Sequence, residues 1–328
     1  MKIISFGEIM VRFTPPNYLL LEQASSIDMT FVGTGVNLLS GLARFGYETA
    51  ILTKVPDNNL GKAVKSQMRR LGIKDSLISY HGNHLGSFFV EMGYGNRPST
   101  VTYQNRINSS YCTASWTTYD FKSALMDADV VHICGIALSL TEQTCAAALN
   151  LVRMAAEAKK LVCFDFNFRP SLNTNNELSQ MRSYYEEILQ YCDIVFGSEQ
   201  DLTRLLGFEQ EAQFSQLGQD FMEKFGIKLF AGTTRSNDGS SLAGFLMANG
   251  ETAMSNSYQL EIYDRIGSGD AYAAGIIHGH LQKWSLIKMV EFATVSSVLA
   301  HTVSGDVPMM SEQQIESFIA NPTTNLIR

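Results

Sequence analysis

One stretch late in the chain combines small residues and acids at a spacing that suits phosphate chemistry. The segment from Asp264 to Asp270 has the sequence D-R-I-G-S-G-D and precedes a helical stripe of apolar residues. Small side chains let backbone N–H groups approach an anion, and a helix N-terminus adds partial positive charge. An acid just past the glycines could accept the proton of a hydroxyl that attacks a phosphate. We therefore predict Asp270 as a general base and Gly267, Ser268 and Gly269 as an anion hole.

The alternative interpretation is a glycine-rich turn capped by Asp270 that performs no chemistry. Two common nucleotide motifs are excluded by spacing. Gly267, Gly269 and Gly275 do not form G-x-G-x-x-G, and the segment lies late in the chain rather than in a first βα unit. A G-x-x-x-x-G-K-[ST] loop does not occur either.

The composition argues against several classes of protein. The chain has 328 residues and a net charge of −7, which disfavours nucleic acid as the main partner. No apolar run is long enough for a spanning helix, so we expect no membrane partner. The five cysteines are widely spaced without C-x-x-C, which predicts neither disulfides nor a zinc site. We expect a cytoplasmic protein.

Short apolar runs alternate with helical segments along the chain, which is typical of βα units around a mostly parallel sheet. The predicted strands lie at Lys2–Phe6, Thr49–Val55, Val130–Cys134, Leu161–Phe166, Ile194–Phe196 and Lys228–Ala231.

Two polar segments interrupt this alternation, at about residues 12–31 and 82–112. They contain short alternating stretches, such as Ser87–Met92 and Thr100–Tyr103, that predict antiparallel strands. These strands could join into one small sheet that covers an active site. The alternative is two unrelated surface loops.

The motifs resemble those of the ribokinase-like (PfkB) carbohydrate kinases. Asp264–Asp270 is similar to the family's D-x-x-G-x-G-D, and Gly33–Asn37 with the later A-R-F-G is similar to its G-G-x-x-x-N motif, although Val32 replaces the usual first glycine. The resemblance implies one α/β domain over residues 1–328, a three-layer α/β/α sandwich with a mostly parallel central sheet. The two inserted segments would form its β-sheet lid, through which a homodimer is expected.

Finer features resemble the 2-keto-3-deoxygluconate kinase branch of the family. Arg97–Tyr103 and the segment D-F-N-F-R-P-S-L that begins at Asp165 are similar to that branch. A sugar acid carries a carboxylate, which planar guanidinium groups bind in bidentate fashion. Arg169 and Arg106 are therefore the expected carboxylate ligands. The resemblance adds further substrate-binding residues, which are Gly33, Thr34, Gly35, Asn37, Tyr103 and Asp270.

The resemblance also implies ATP and Mg²⁺. Magnesium would be held by ATP phosphates and water, with Asp201 as a candidate partner of a metal-bound water and no direct protein ligand. A monovalent cation near Asp264 and the loop Ala300–Asp306 is a further expectation of the resemblance. Asp165 and Asn167 could hold their own loop, or position phosphate and metal-bound water. The expected ATP-binding residues are Asn167, Ser198, Thr233, Arg235, Gly267, Gly269 and His301.

The first hypothesis is an ATP-dependent kinase that converts 2-keto-3-deoxygluconate to its 6-phosphate, with Asp270 as the base. The second keeps the kinase but gives it fructose, another neutral sugar or a nucleoside as substrate. The third is a sugar-sensing protein on the same fold that no longer catalyses, suggested by Val32, Ser198 and Asp201 at positions where the family has other residues.

Overall fold

The computed structural model describes residues 1–173, 176–209 and 213–322, which form fifteen strands and eleven α-helices. The strands are β1 (Lys2–Phe6), β2 (Met10–Thr14), β3 (Asp28–Val32), β4 (Glu48–Val55), β5 (Ile73–Lys74), β6 (Ile78–Tyr80), β7 (Ser87–Glu91), β8 (Thr100–Gln104), β9 (Val130–Cys134), β10 (Leu161–Asp165), β11 (Ile194–Phe196), β12 (Leu229–Arg235), β13 (Ser241–Ala248), β14 (Glu251–Met254) and β15 (Tyr258–Gln259). The helices are α1 (Thr34–Arg44), α2 (Asn59–Arg70), α3 (Ser110–Thr113), α4 (Phe121–Met126), α5 (Ile136–Leu140), α6 (Glu142–Glu157), α7 (Leu178–Leu189), α8 (Phe214–Phe225), α9 (Ser268–Leu281), α10 (Leu286–Ala300) and α11 (Glu312–Ala320).

Eleven strands of the described chain form one central sheet in the order β14-β13-β12-β11-β10-β9-β1-β4-β5, with β6 beside β4 and β15 beside β13. Strands β1, β4, β5, β6 and β9 to β12 pair in parallel, whereas β13, β14 and β15 are antiparallel additions. This arrangement confirms the predicted α/β class with a mostly parallel sheet. Parallel strands of this kind place their carboxyl ends along one edge, where such sheets bind ligands.

Helices cover both faces of the sheet because successive strand residues point in opposite directions. On β1, Ile4 packs in the core beneath α4 to α8, while Ile3 packs in the core beneath α1, α2, α9 and α10. Strands buried on both faces explain the continuous apolar runs in the sequence. The three-layer architecture is therefore confirmed.

A second, four-stranded sheet stands apart from the first, in the order β3-β2-β7-β8. Its strands come from the two polar segments, beginning at Met10 rather than Arg12 in the first of them. The predicted antiparallel pairing holds within β2–β3 and within β7–β8. It is wrong for the central pair, because β2 and β7 run parallel. These two strands are far apart in the chain, so no hairpin turn dictates their direction.

The predicted strands of the central sheet agree with the observed ones to within a few residues. The exception is β12, whose predicted end is Ala231 but which continues to Arg235. It continues because β13 pairs with it antiparallel from Phe230 to Arg235. In the part of the chain that the structure describes, no helix has the length and apolar character to cross a membrane.

Candidate active site

A cavity of about 400 Å³ lies between the carboxyl edge of the central sheet and the small sheet. It receives Glu8 just after β1, Cys134 at the end of β9 and Asp165 at the end of β10. We call it the first cavity. The predicted residues that line it are Gly33, Thr34, Asn37, Tyr103, Arg106, Asn167, Arg169, Gly267, Ser268, Gly269 and Asp270.

Asp270 lies in the first turn of α9 and is only 7% exposed. Its Oδ2 accepts a hydrogen bond of 2.7 Å from Nδ2 of Asn37 on α1. Burial raises the pKa of Asp270 well above its ordinary value, the Asn37 hydrogen bond opposes this rise, and the neighbouring Asp165 adds to it. A carboxyl group with a raised pKa is a stronger proton acceptor once ionised, as a general base requires.

The backbone before Asp270 is built to leave room for an anion. Gly267 has φ 83°, and a Cβ there would lie 1.8 Å from the carbonyl oxygen of Asp306, so this position requires glycine. The first helical bond of α9 joins the N–H of Ala271 to the carbonyl of Gly267 at 3.0 Å. The preceding N–H groups of the helix therefore have no partner within α9 and can donate hydrogen bonds to an anion.

Ser268 and Gly269 contribute differently to this turn. The Ser268 hydroxyl donates to the carbonyl of Arg265 at 3.0 Å, so it holds the loop. No atom lies within 4 Å of a Cβ built on Gly269, which borders open space on the cavity side. Gly269 therefore offers a ligand access to the helix N-terminus.

Arg106 is buried at the side of the first cavity formed by the small sheet. Its Nε donates to Oε2 of Glu8 at 2.7 Å, while the Tyr103 ring centre lies 4.9 Å from its Cζ. Burial alone would lower the pKa of Arg106, but Glu8 more than offsets this and the pKa is raised. The Nη1 atom is buried and has no hydrogen-bond partner among the described residues. Arg106 thus holds a donor available for a ligand, although part of its charge is already balanced by Glu8.

Arg169 lies after β10, where the first cavity meets a second one, and lines both. Its side chain is exposed and forms no ion pair within the described residues. Burial raises the pKa of three nearby carboxylates, and the charge of Arg169 opposes the rise at each of them. These carboxylates are those of Asp165, Asp201 and Asp270.

The loop before Arg169 is fixed by Asp165. Its Oδ1 accepts the Asn167 N–H at 3.1 Å and its Oδ2 accepts the Asn167 amide at 3.3 Å. Asn167 has φ 40°, a left-handed conformation that asparagine tolerates better than most residues. Burial raises the pKa of Asp165 to about 6. Asn167 Oδ1 is buried and lacks a partner among the described residues, and Asn167 lines both cavities.

The second cavity, of about 580 Å³, follows the ends of β10, β11 and β12. Ser198, Asp201 and Thr233 line it, as does Gly269 from α9. Asp201 Oδ2 accepts the Ser198 N–H at 2.8 Å and the Ser198 hydroxyl at 2.7 Å. The pair therefore stabilises the start of a helical turn at the wall of this cavity.

Three predicted residues lie outside these two cavities. Gly35 packs inside α1, where a Cβ would lie 2.6 Å from Oγ of Ser5. His301 is fully buried, its Nδ1 donating to the carbonyl of Ser297 at 2.7 Å, and its Nε2 lies 2.8 Å from Nη2 of Arg235. The imidazole therefore supports the Arg235 side chain. Arg235 itself is part of β12 rather than of a turn, because that strand is longer than expected.

Several charged residues of the cavities were not predicted as site residues. Glu8 lies two residues after the end of β1, and an acid close behind an apolar strand is the sequence signal that could have indicated it. Arg204 lines the second cavity one helical turn after Asp201. Arg265 and Asp306 line the first cavity, one within the glycine-rich motif and the other near the end of the described chain.

Comparison with known proteins places this arrangement among sugar kinases. The model of the pfkB family carbohydrate kinases matches residues 1–313. The chain is 53% identical to a crystal structure from Enterococcus faecalis with the provisional name 2-keto-3-deoxygluconate kinase, with a TM-score of 0.96 and coverage of 100% of this chain and 99% of that one.

Two further relatives have related names. A 2-dehydro-3-deoxygluconokinase structure from Thermotoga maritima is 29% identical, with a TM-score of 0.92 and coverage of 98% of this chain and 100% of the other. A 2-dehydro-3-deoxygalactonokinase from Haloferax volcanii is 25% identical over 318 residues, which is 96% of this chain and 95% of the relative.

Proposed function

The chain belongs to the pfkB family of carbohydrate kinases and is a sugar kinase that uses ATP, and we propose that its substrate is 2-keto-3-deoxygluconate. The observation that carries this proposal is the makeup of the first cavity. It combines a buried carboxylate at a helix N-terminus with two arginines, Arg106 and Arg169, that can bind the carboxylate of a sugar acid. The relatives described above bear the names of kinases of such dehydro-deoxy sugars.

In the proposed reaction, Asp270 accepts the proton of the substrate's 6-hydroxyl as that oxygen attacks the terminal phosphorus of ATP. The new bond joins O6 to phosphorus, the bond from phosphorus to the ADP oxygen breaks, and the proton leaves Asp270 later to solvent. The N–H groups at the start of α9 would stabilise charge on the transferring group. Base catalysis of this kind contributes about 10²–10⁴-fold, and positioning supplies most of the rest.

The substrate carboxylate would bind at the side of the first cavity away from Asp270, beside Arg106 and Arg169. Arg106 offers the unpartnered Nη1, and the Tyr103 ring holds its guanidinium from one side. Because Glu8 already balances Arg106, Arg169 would supply much of the net positive charge. Asn37 Oδ1 is buried without a partner in the described chain and would accept a sugar hydroxyl. Gly33 and Thr34, at the start of α1, would border the sugar.

The nucleotide would occupy the second cavity, with its phosphates toward Gly269, Thr233 and Asn167. Oxygen donors suit magnesium, and the carboxylates of Asp165 and Asp201 reach this space, so the residues fit the ion. These two groups would hold it through water, and the bound ion would neutralise phosphate charge. We also expect the enzyme to act in the cytoplasm, where ATP is available.

We further propose that the small sheet acts as the lid of the first cavity and as a dimer interface. Phe13 on β2 is paired with Met29 on β3 and with Phe89 on β7, so these three apolar side chains form one row on one face of the small sheet. The opposite face carries Met10 and Phe88, which line the first cavity. Met29 is 49% exposed, so this apolar row is covered only if a second molecule packs on it.

The test of the substrate is ADP release by the purified protein with ATP and magnesium on a panel of sugars. The panel contains 2-keto-3-deoxygluconate, fructose, ribose and adenosine, and phosphorus NMR would identify the phosphorylated carbon. Turnover of the sugar acid alone, at the 6-hydroxyl, is the expected result. Preferred turnover of a neutral sugar would overturn the proposed carboxylate site. ATP or sugar binding without any turnover would favour the sensor hypothesis.

A further inference from the structure

Arg12 is a buried arginine on β2 that reaches out of the small sheet toward the loops that carry Asp264 and Asp306. It is 2% exposed, and its Nη2 lies 2.8 Å from Oδ2 of Asp264. Its Nη1 donates to Oδ1 of Asp306, and its Nε donates to Thr14 at 3.0 Å. Both carboxylates are also buried, at 2% and 5% exposure. One guanidinium group therefore bridges two buried acids.

The two acids belong to loops that meet behind the anion hole. Asp264 Oδ1 accepts the N–H of Ile266 at 3.1 Å, and its Oδ2 accepts the N–H of Gly305 at 3.2 Å. The space beside Gly267 is filled by the backbone of Asp306. A shift of either acid would therefore move the glycine turn that precedes Asp270.

Two carboxylates buried side by side repel each other unless a cation lies between them. The sequence resemblance predicts that this cation is a monovalent ion near Asp264 and the loop Ala300–Asp306. The donor set does not fit a second cation, because Arg12 already binds both acids and backbone N–H groups occupy further positions on Asp264. The planar fork of arginine matches two carboxylates better than a point charge does.

We infer that the Arg12 guanidinium is the resident cation of this site and positions the anion hole. Phosphoryl transfer then proceeds without an added monovalent cation. Because Arg12 is part of β2, the inference also makes the geometry of the anion hole depend on the small sheet. Arg12 touches neither substrate nor phosphate in this account and is a positioning residue.

The first test is a salt series on the wild-type enzyme, which needs no variant to fold. Turnover and ADP–magnesium affinity, the latter by calorimetry, are measured in tetramethylammonium buffer and after addition of potassium, sodium or ammonium. We expect changes below about twofold, since no cation-binding step is missing. Activation of about tenfold or more by one small cation would overturn the inference.

The second test removes the guanidinium with Arg12→Ala. We expect kcat to fall roughly 10- to 100-fold through misplacement of the anion hole, with a smaller change in sugar KM. Free guanidinium at about 10 mM, far below denaturing concentrations, should restore part of kcat in this variant and leave wild type unchanged. Circular dichroism checks that the variant is folded.

The matched control is Arg69→Ala, which removes an exposed arginine that is paired with Asp75 at 2.6 Å. It should keep wild-type kcat and show no response to guanidinium. Wild-type kcat in folded Arg12→Ala, or a kcat loss that guanidinium does not change, would contradict the inference. The inference rests on the proposed phosphate site but not on the identity of the sugar, because ADP binding is measured without any sugar.

Discussion

The side chains of Asn37 and Asp270 come from helices at opposite ends of the chain and meet at 2.7 Å, amide nitrogen to carboxylate oxygen. Helices α1 and α9 approach closely enough for this contact because Gly41 faces Ala274 where they cross, and a Cβ on Gly41 would lie 3.2 Å from the Ala274 methyl group. The amide favours the ionised form of a carboxylate whose burial favours the protonated form. Burial thus raises the proton affinity of the proposed base, and Asn37, a residue proposed to bind the sugar, lowers it.

Asn37→Ala should therefore change the pH profile. Loss of the hydrogen bond raises the pKa of Asp270 further, and only the ionised carboxylate can accept a proton, so the acid limb of kcat/KM should move to higher pH. Hydrogen bonds to charged groups contribute about 1.5–3 kcal/mol, so kcat/KM of the variant should fall roughly tenfold or more on the acid side of the profile. The loss from this cause should shrink as the pH rises. The measurement is kcat/KM against pH for both proteins.

The control is Ser40→Ala, which alters a buried polar residue of α1 that has no hydrogen-bond partner in the described chain. It should leave the acid limb in place. An acid limb that is identical in Asn37→Ala and wild type would refute the proposed coupling.

Arg169→Ala should weaken the binding of a sugar acid and leave a neutral sugar unaffected. A charge-assisted hydrogen bond of about 1.5–3 kcal/mol corresponds to a KM increase of roughly 10- to 100-fold. Because Arg169 is exposed and unpaired among the described residues, its removal should not change the melting temperature. Arg153→Ala, at an exposed surface pair with Glu187, is the control. A higher KM for ATP alone would instead assign Arg169 to the nucleotide.

The glycine-rich motif and the strands of the central sheet could be predicted from the sequence because their signals are local. The proposed anion hole depends on residues 267–270, and the buried strands are continuous apolar runs. The extension of β12 to Arg235 was missed because it depends on pairing with β13, which propensity alone does not reveal. The burial of His301 likewise depends on the packing of α10 rather than on its neighbours in the sequence.

The ion pairs of the site could not be predicted at all. Glu8 and Arg106 are 98 residues apart, and Arg12 lies 252 residues from Asp264. A single sequence shows each of these as an isolated charge, and only the fold brings the partners together. The Glu8–Arg106 pair changes the expected site, because of the two arginines expected to bind the substrate carboxylate only Arg169 lacks a carboxylate partner among the described residues.

Gly267→Ala should destabilise the protein more than an ordinary glycine change. A left-handed non-glycine residue costs about 1–2 kcal/mol, and the contact with Asp306 adds roughly 1–3 kcal/mol of overpacking. Gly250→Ala is a matched control, because Gly250 has φ 77° but no atom lies within 4 Å of the position that its Cβ would take. Urea unfolding of both variants should give a clearly lower midpoint for Gly267→Ala. Equal midpoints would show that the loop adjusts to the added methyl group without losing stability.

Phe89→Asp should dissociate the proposed dimer by placing a charge in the apolar row with Phe13 and Met29. Phe89 stacks on Phe13 with ring centres 5.1 Å apart, within the row. Light scattering should report a dimer for wild type and a monomer for the variant. Tyr80→Asp changes an exposed aromatic residue away from this sheet and should have no effect. A wild-type monomer at micromolar concentration would exclude the dimer.

The most direct measurement is the kcat of Asp270→Asn beside wild type, with 2-keto-3-deoxygluconate, ATP and magnesium. The substitution preserves the shape of the side chain but removes the proton acceptor. We expect a fall in kcat of about 10²–10⁴-fold, with ADP affinity within about twofold of wild type. A variant that keeps wild-type kcat would contradict Asp270 as the base.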